Sequence, residues 1–211
     1  MGAERKDLAK DNVKPYRLVV IGGSAGSLET ILQIVGSLPA GTDASYVIVV
    51  HRKNTGDSIL TELLSGRTDL RVREIEDKEP IIPGTVYVAP PDYHLLVENE
   101  NEFSLDSSEK VQFSRPSIDV TFESVALAFG PAAIVVLLSG ANADGADGII
   151  RVMEAGGYSI VQDPQTADMA MMPKQAIDRS EVNAVLSPSE IGPHIRSLLT
   201  RTPRLKSPPE E

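Results

Sequence analysis

Cysteine is absent from the 211-residue chain. That excludes a disulfide framework, a cysteine nucleophile and a thiolate metal site. Tryptophan is absent as well, and aromatic residues make up only 4%, too few for a platform that stacks single-stranded nucleic acid. Basic residues are in the minority, and the net charge is −10. A surface that neutralises phosphates needs clustered Lys and Arg, so nucleic acid is not an expected partner. No apolar run approaches the ~20 residues of a membrane span. The stretch from Met1 to Pro15 alternates charges and has no apolar core of a secretory signal. A chain that stays out of the membrane, in the cytoplasm, is expected.

What is present is 41% hydrophobic residues, enough for one domain with a real core. Residues 16–201 form the expected domain. Residues 1–15 are expected to be a solvated arm. The tail at 202–211, with Pro203, Pro208, Pro209 and two terminal glutamates, is expected to be disordered.

Within the domain, short β-branched runs alternate with amphipathic stretches. Runs begin at Arg17, Tyr46, Ala133 and Tyr158, and such continuous apolar runs fit strands buried on both faces of a parallel sheet. Helical spacing links Leu28, Ile31, Leu32 and Val35. It also links Val120, Val125, Leu127 and Ala128 behind a Ser117 cap, and Ile149, Ile150 and Met153 ahead of a Gly156 stop. A last helix spans Ser189 to Leu199. The alternation predicts a doubly wound α/β fold, mostly parallel, with helices on both faces. Residues 72–109 differ. Prolines bracket a short strand at Thr85–Val88, and an antiparallel hairpin turns at residues 98–101. Ten acidic residues against Arg73 and Lys78 give this segment a net charge of −8, which fits a solvated hairpin.

In an open α/β sheet, ligands bind beyond the carboxyl ends of the strands. Ser24 follows the first run, within GGSAG at 22–26. His51 follows the second. Asp144 lies in SGANADG at 139–145, after the Ala133 run. A hydroxyl, an imidazole and a carboxylate are the inventory of a serine nucleophile, its base and the group that orients the base. The GGSAG pattern fits a sharp strand-to-helix turn that exposes a serine oxygen near free amides. Taken alone, a glycine-rich turn equally suits a phosphate cradle, although neither the dinucleotide fingerprint nor the P-loop pattern can be written across it. His94 opens the hairpin, and His194 lies on the last helix, where a surface position is expected. Asn142, Asp144 and Asp147 do not match a calcium loop, because the positions that need Asp and Gly hold Ala146 and Asp147. A plain structural role for Asp144 is to cap the helix that follows it, with Asp147 in that helix's first turn. The chain order serine, acid, histidine of an α/β-hydrolase would require His194. The order Ser24, His51, Asp144 places all three at strand ends and is preferred.

The segments VIGGSAG at 20–26, VVH at 49–51, PGTVYVAPPDYH at 83–94, RPSID at 115–119, LSGANADG at 138–145 and MPKQAI at 172–177 together resemble the catalytic domain of the chemotaxis receptor methylesterases. These are the protein-glutamate methylesterases of the CheB type. The resemblance runs from Val19 to about Leu199. It implies hydrolysis of glutamate γ-methyl esters on a methylated receptor or other signalling protein, and possible deamidation of receptor glutamines. It carries the nucleophile onto Ser24, the base onto His51 and the orienting acid onto Asp144. Oxyanion donors fall at Ala25, Gly26 and Ala141, and no metal or organic cofactor is implied. The residues before the first strand are too few for a receiver domain, so a free-standing catalytic domain is expected.

This chain departs from the family pattern at three places. Ser27 stands where a second glycine is usual, Ala141 where methionine is usual, and Arg52 and Lys53 where an apolar residue and often proline follow the histidine. Two rival functions use the same residues: a small-molecule esterase, and a non-catalytic partner-binding module in which Ser24 merely shapes a turn.

Overall fold

The computed structural model describes residues 17–52, 59–99 and 101–200. The expected arm and tail, and Lys53, lie outside the described residues. Nine strands and six α-helices follow one another in the order β1(Arg17–Gly23), α1(Leu28–Val35), β2(Ala44–Val50), α2(Ile59–Ser65), β3(Arg71–Glu74), β4(Thr85–Val88), β5(His94–Glu98), β6(Glu102–Asp106), α3(Ile118–Phe129), β7(Ala133–Leu137), α4(Ala146–Glu154), β8(Tyr158–Gln162), α5(Met171–Arg179), β9(Ala184–Leu186) and α6(Pro188–Thr200). Seven strands form one sheet in the order β3-β4-β2-β1-β7-β8-β9, and every pairing in it is parallel. The chain winds outward from β1 to β2, then resumes on the other side of β1 at β7. That reversal is the switch point at which α/β folds carry ligands.

The central strands are buried on both faces because helices cover both. One face packs Val20, Val135 and Val161 against α3, α4 and α5 residues such as Phe122, Ile149 and Met172. The other packs Ile21, Val136 and Ile160 against Ile31 and Ile34 of α1 and Ile191 and Ile195 of α6. Two residues that carry the helical spacing lie on the surface. Leu127 is 85% exposed and Leu28 is 44% exposed; each shares its helix with the apolar stripe but falls outside the buried arc.

The hairpin of β5 and β6 is antiparallel and separate from the main sheet. It is solvated on one face only. Leu95, Val97 and Phe103 belong to the core over α3, the Val97 amide donates to Ser124 Oγ at 3.0 Å, and Thr121 Oγ1 donates to the Leu95 carbonyl at 3.0 Å. This anchoring fixes where α3 begins, and the start of α3 builds the site.

Candidate active site

The parallel register pairs Gly23 with Val50, so the next residues along, Ser24 and His51, stand opposite one another at the carboxyl edge. The His51 amide donates to the Gly23 carbonyl at 3.3 Å, and the Ser24 amide donates to the Ser139 carbonyl at 2.9 Å. The β1 turn is thus stitched to both neighbouring strand ends. Within the turn, Ser27 Oγ donates to the Ser24 carbonyl at 2.7 Å. Ser27 therefore does structural work that a second glycine could not. Gly26 has φ +78°, and a Cβ there would come within 2.5 Å of Asp168 Cβ; both backbone and space demand glycine. Across the turn, Ser139 Oγ donates to the Ala25 carbonyl at 2.7 Å and accepts from the Met169 amide at 2.9 Å. Among the described residues, the Ser24 hydroxyl has no hydrogen-bond partner, and the amides of Ala25, Gly26 and Ala141 donate to no backbone carbonyl. Ala141 itself is exposed.

The imidazole and the carboxylate meet. His51 Nε2 lies 2.7 Å from Asp144 Oδ2, with the Asp144 side chain fully buried and His51 14% exposed. Asp144 does not take the structural role its position offered, capping the helix that follows it. Gly145, at φ +95°, precedes α4 without any side-chain cap. Asp144 turns the other way, onto the start of α3. Its carboxylate accepts from the amides of Ile118 at 2.8 Å and Asp119 at 3.0 Å, and from Ser117 Oγ at 2.8 Å. Burial opposes its ionisation, but His51, these amides and the hydroxyl outweigh burial and hold its pKa below the ordinary value. A helix N-terminus favours the same anion. Because Asp144 is an acceptor, it selects the tautomer with hydrogen on Nε2 and leaves Nδ1 as an acceptor. Ser114 Oγ approaches Nδ1 at 3.4 Å.

Other residues fall into place around this pair. His94 is 1% exposed and structural. Its Nδ1 accepts from the Ser117 amide at 3.1 Å and its Nε2 donates to the Glu109 carbonyl at 2.9 Å. His194 is half-buried rather than on the surface, with Nε2 3.0 Å from the Tyr158 hydroxyl. Asp147 sits in the first turn of α4 and pairs with Arg179. Ser117 caps α3 as expected, accepting from the Val120 amide, but sequence reasoning missed its contact with Asp144 and missed Ser114, which touches His51. It also missed Asp119, buried beside Asp144, with Oδ1 accepting from the Gly148 amide of α4 at 2.7 Å. RPSID at 115–119 was the available signal, but no pattern of spacing assigns those residues to a distant histidine. Burial raises Asp119 most; the Gly148 amide opposes that rise, the negative charges of Asp144 and Asp147 add to it, and the pKa is pushed up to about 7.

A doubly wound α/β domain with an imidazole–carboxylate pair and an unengaged serine at the switch point has the layout of a hydrolase. The chain belongs to the CheB methylesterase family, whose model matches residues 19–195. It is 43% identical over 83% of its length to a Leptospira interrogans protein named, provisionally, as a protein-glutamate methylesterase/protein-glutamine glutaminase, and covers 91% of that protein. It is 36% identical to the protein-glutamate methylesterase FrzG of Myxococcus xanthus, over 84% of this chain and 53% of that one. Among solved structures, the CheB methylesterase catalytic domain of Thermotoga maritima superposes with a TM-score of 0.82 at 34% identity, covering 86% of this chain and 98% of that one. No helix among the described residues is long and apolar enough to cross a membrane.

Proposed function

We propose that this protein is a protein-glutamate methylesterase of the cytoplasm. It hydrolyses glutamate γ-methyl esters on a sensory receptor or related signalling protein, and deamidates glutamine at the same site. The observation that carries this is the 2.7 Å contact of His51 Nε2 with buried Asp144, one strand away from an unengaged Ser24. In the reaction His51 Nδ1 takes the Ser24 proton as Ser24 Oγ attacks the ester carbonyl. Asp144 holds the Nε2 hydrogen and stabilises the imidazolium. The amides of Ala25, Gly26 and Ala141, having no backbone acceptor of their own, are the donors for the oxyanion; losing one such donor costs about 10²–10³ in rate. The imidazolium returns its proton to the departing methanol, or to ammonia from a glutamine. Water, deprotonated by His51, then releases the glutamate.

The free Ser24 hydroxyl speaks against a binding module in which this serine only shapes a turn. Ser27, not Ser24, supplies the hydroxyl that holds the turn.

Mass spectrometry of a methyl-esterified receptor segment incubated with the protein tests the proposal. Ser24→Ala and His51→Ala should each abolish loss of the methyl group, and the double variant should be no worse than either, because the pair acts as a unit. Turnover of simple esters with no action on the methylated segment would make this a small-molecule esterase. A Ser24→Ala protein that kept most of its activity would exclude covalent catalysis at this serine.

A further inference from the structure

The chain is acidic, yet one wall beside His51 is basic. An open cleft there is lined by His51, Arg52, Lys110, Phe113, Ser114 and Arg115, with Asp92 as its sole carboxylate. Arg52 pairs with Glu74 and reaches the Ala89 carbonyl at 3.5 Å, but its Nε is buried without a partner. Arg115 Nη1 donates to the carbonyls of Ser107 and Ser108, each at 2.7 Å, and its Nε is likewise buried without a partner. Lys110 is exposed and, among the described residues, forms no ion pair. Three cations thus line the cleft against one lining carboxylate; Arg52 pairs with Glu74, and among the described residues neither Lys110 nor Arg115 forms an ion pair.

The apolar part of the wall is held in place at some cost in conformation. Phe113 is 97% exposed, and both Gln112 (φ 47°) and Phe113 (φ 65°) lie in the left-handed region, which side-chain-bearing residues seldom adopt. Two backbone hydrogen bonds between Val111 and Ser114 pin the turn, and Gln112 Nε2 donates to Asp119 Oδ2 at 2.8 Å. Strain maintained in this way beside a reacting group fits function rather than folding.

We propose that this cleft is an anionic subsite, which receives a carboxylate side chain of the substrate polypeptide close to the ester being hydrolysed. The inference rests on the esterase function proposed above and names the substrate chemistry next to the scissile group. Guanidinium N–H groups match a carboxylate's two oxygens. The Phe113 ring offers a surface to the aliphatic stem of a glutamate.

The test uses two peptides, each with one glutamate methyl ester, flanked one helical turn away by glutamates or by glutamines. The wild-type protein should show a kcat/KM roughly 5- to 10-fold higher on the acidic peptide at low salt, the scale of a few partly exposed charge contacts, with the advantage shrinking at about 0.5 M salt. Lys110→Glu, which breaks no side-chain hydrogen bond among the described residues, should erase that preference. Titration of the two peptides against Ser24→Ala gives a readout independent of turnover, and the acidic peptide should bind more tightly. Equal handling of the peptides, or a preference that Lys110→Glu leaves intact, overturns the subsite. Selective binding to Ser24→Ala with no hydrolysis of either peptide by the wild type leaves anion recognition standing and removes the esterase function. Neither selective binding nor hydrolysis removes both.

Discussion

Asp119 and Asp144 are neighbours with opposite electrostatic fates. Asp144 accepts four hydrogen bonds, and its carboxyl is held below the ordinary value. Asp119 has fewer donors and faces the Asp144 charge, and is pushed up to about 7. In an unfolded chain an aspartate ionises near ~3.9. Between about pH 4 and 7 the folded protein therefore keeps a proton on Asp119 that the unfolded chain has lost. Stability consequently falls as pH rises through that window. The Asp144 contribution has the reverse sense: it is present above about pH 4 and is lost on further acidification. Asp119→Asn should be more favourable to stability at pH 8 than at pH 3 by about 1–3 kcal/mol, since at pH 3 aspartate is largely neutral in the folded and the unfolded chain alike. Urea denaturation at the two pH values measures this. An equal difference at both would place the effect in packing rather than in ionisation.

At the scale of elements, two helices start against each other. Asp144, just before α4, binds the first amides of α3, and Asp119, in the first turn of α3, binds the Gly148 amide of α4. Gly145 makes this exchange possible. Its φ is +95°, and an added Cβ would come within 2.5 Å of Leu137 Cδ1 and 2.9 Å of Ile118 Cγ2. Gly145→Ala should cost about 2–4 kcal/mol through left-handed backbone and overpacking together. It should also lower kcat more than the residual folded fraction explains, because Asp144 shifts with it. Loss of activity in simple proportion to folded protein would count against that coupling.

The same elements show what a linear sequence discloses. β1, β2, β7 and β8 were legible as β-branched runs because a strand buried on both faces has nowhere to put polar residues. β3 and β9 were not. They are the sheet's edges, four and three residues long: β3 has a single apolar residue, Val72, and the apolar run of β9 is too short to stand out as a strand. Helices α2 and α5 were missed as well: Leu64 is the only buried residue of α2, and α5 buries Met172, Pro173 and Ala176, which gives no extended apolar stripe. Ser24, His51 and Asp144 were legible because each directly follows, or lies in the loop after, a readable strand. Ser114, Ser117 and Asp119 come to the site from a loop and a helix start that only the hairpin's packing puts there. The direction in which Asp144 turns was hidden for a related reason: capping of the next helix is a local rule, and the partner it takes instead is 26 residues away.

At the scale of the whole molecule, the seven-stranded main sheet separates two cores. Alternate residues of each central strand enter opposite cores, as Val135 and Val136 do. Substitutions in different cores should therefore act independently. Ile31→Ala and Phe122→Ala, both at fully buried positions, should each cost about 2–5 kcal/mol, and the double variant the sum to within about 0.5 kcal/mol. Only Phe122 lies on the face that carries α3, so Phe122→Ala should also affect turnover in the protein that remains folded. A large non-additive term in a double-mutant cycle would show that the sheet passes strain from one side to the other.

The exchange of carboxylates between α3 and α4 bears on how this family can lose its activity over evolutionary time. Ser24 has a side chain that the fold does not use, so a descendant recruited only for binding can replace it freely. Asp144 cannot be discarded in the same way, because two helices would lose a shared brace. Catalytically silent descendants should therefore keep the acid long after the nucleophile has drifted. An intact aspartate at this position is then a record of architecture, and on the function proposed above the serine reports whether the chemistry is still under selection.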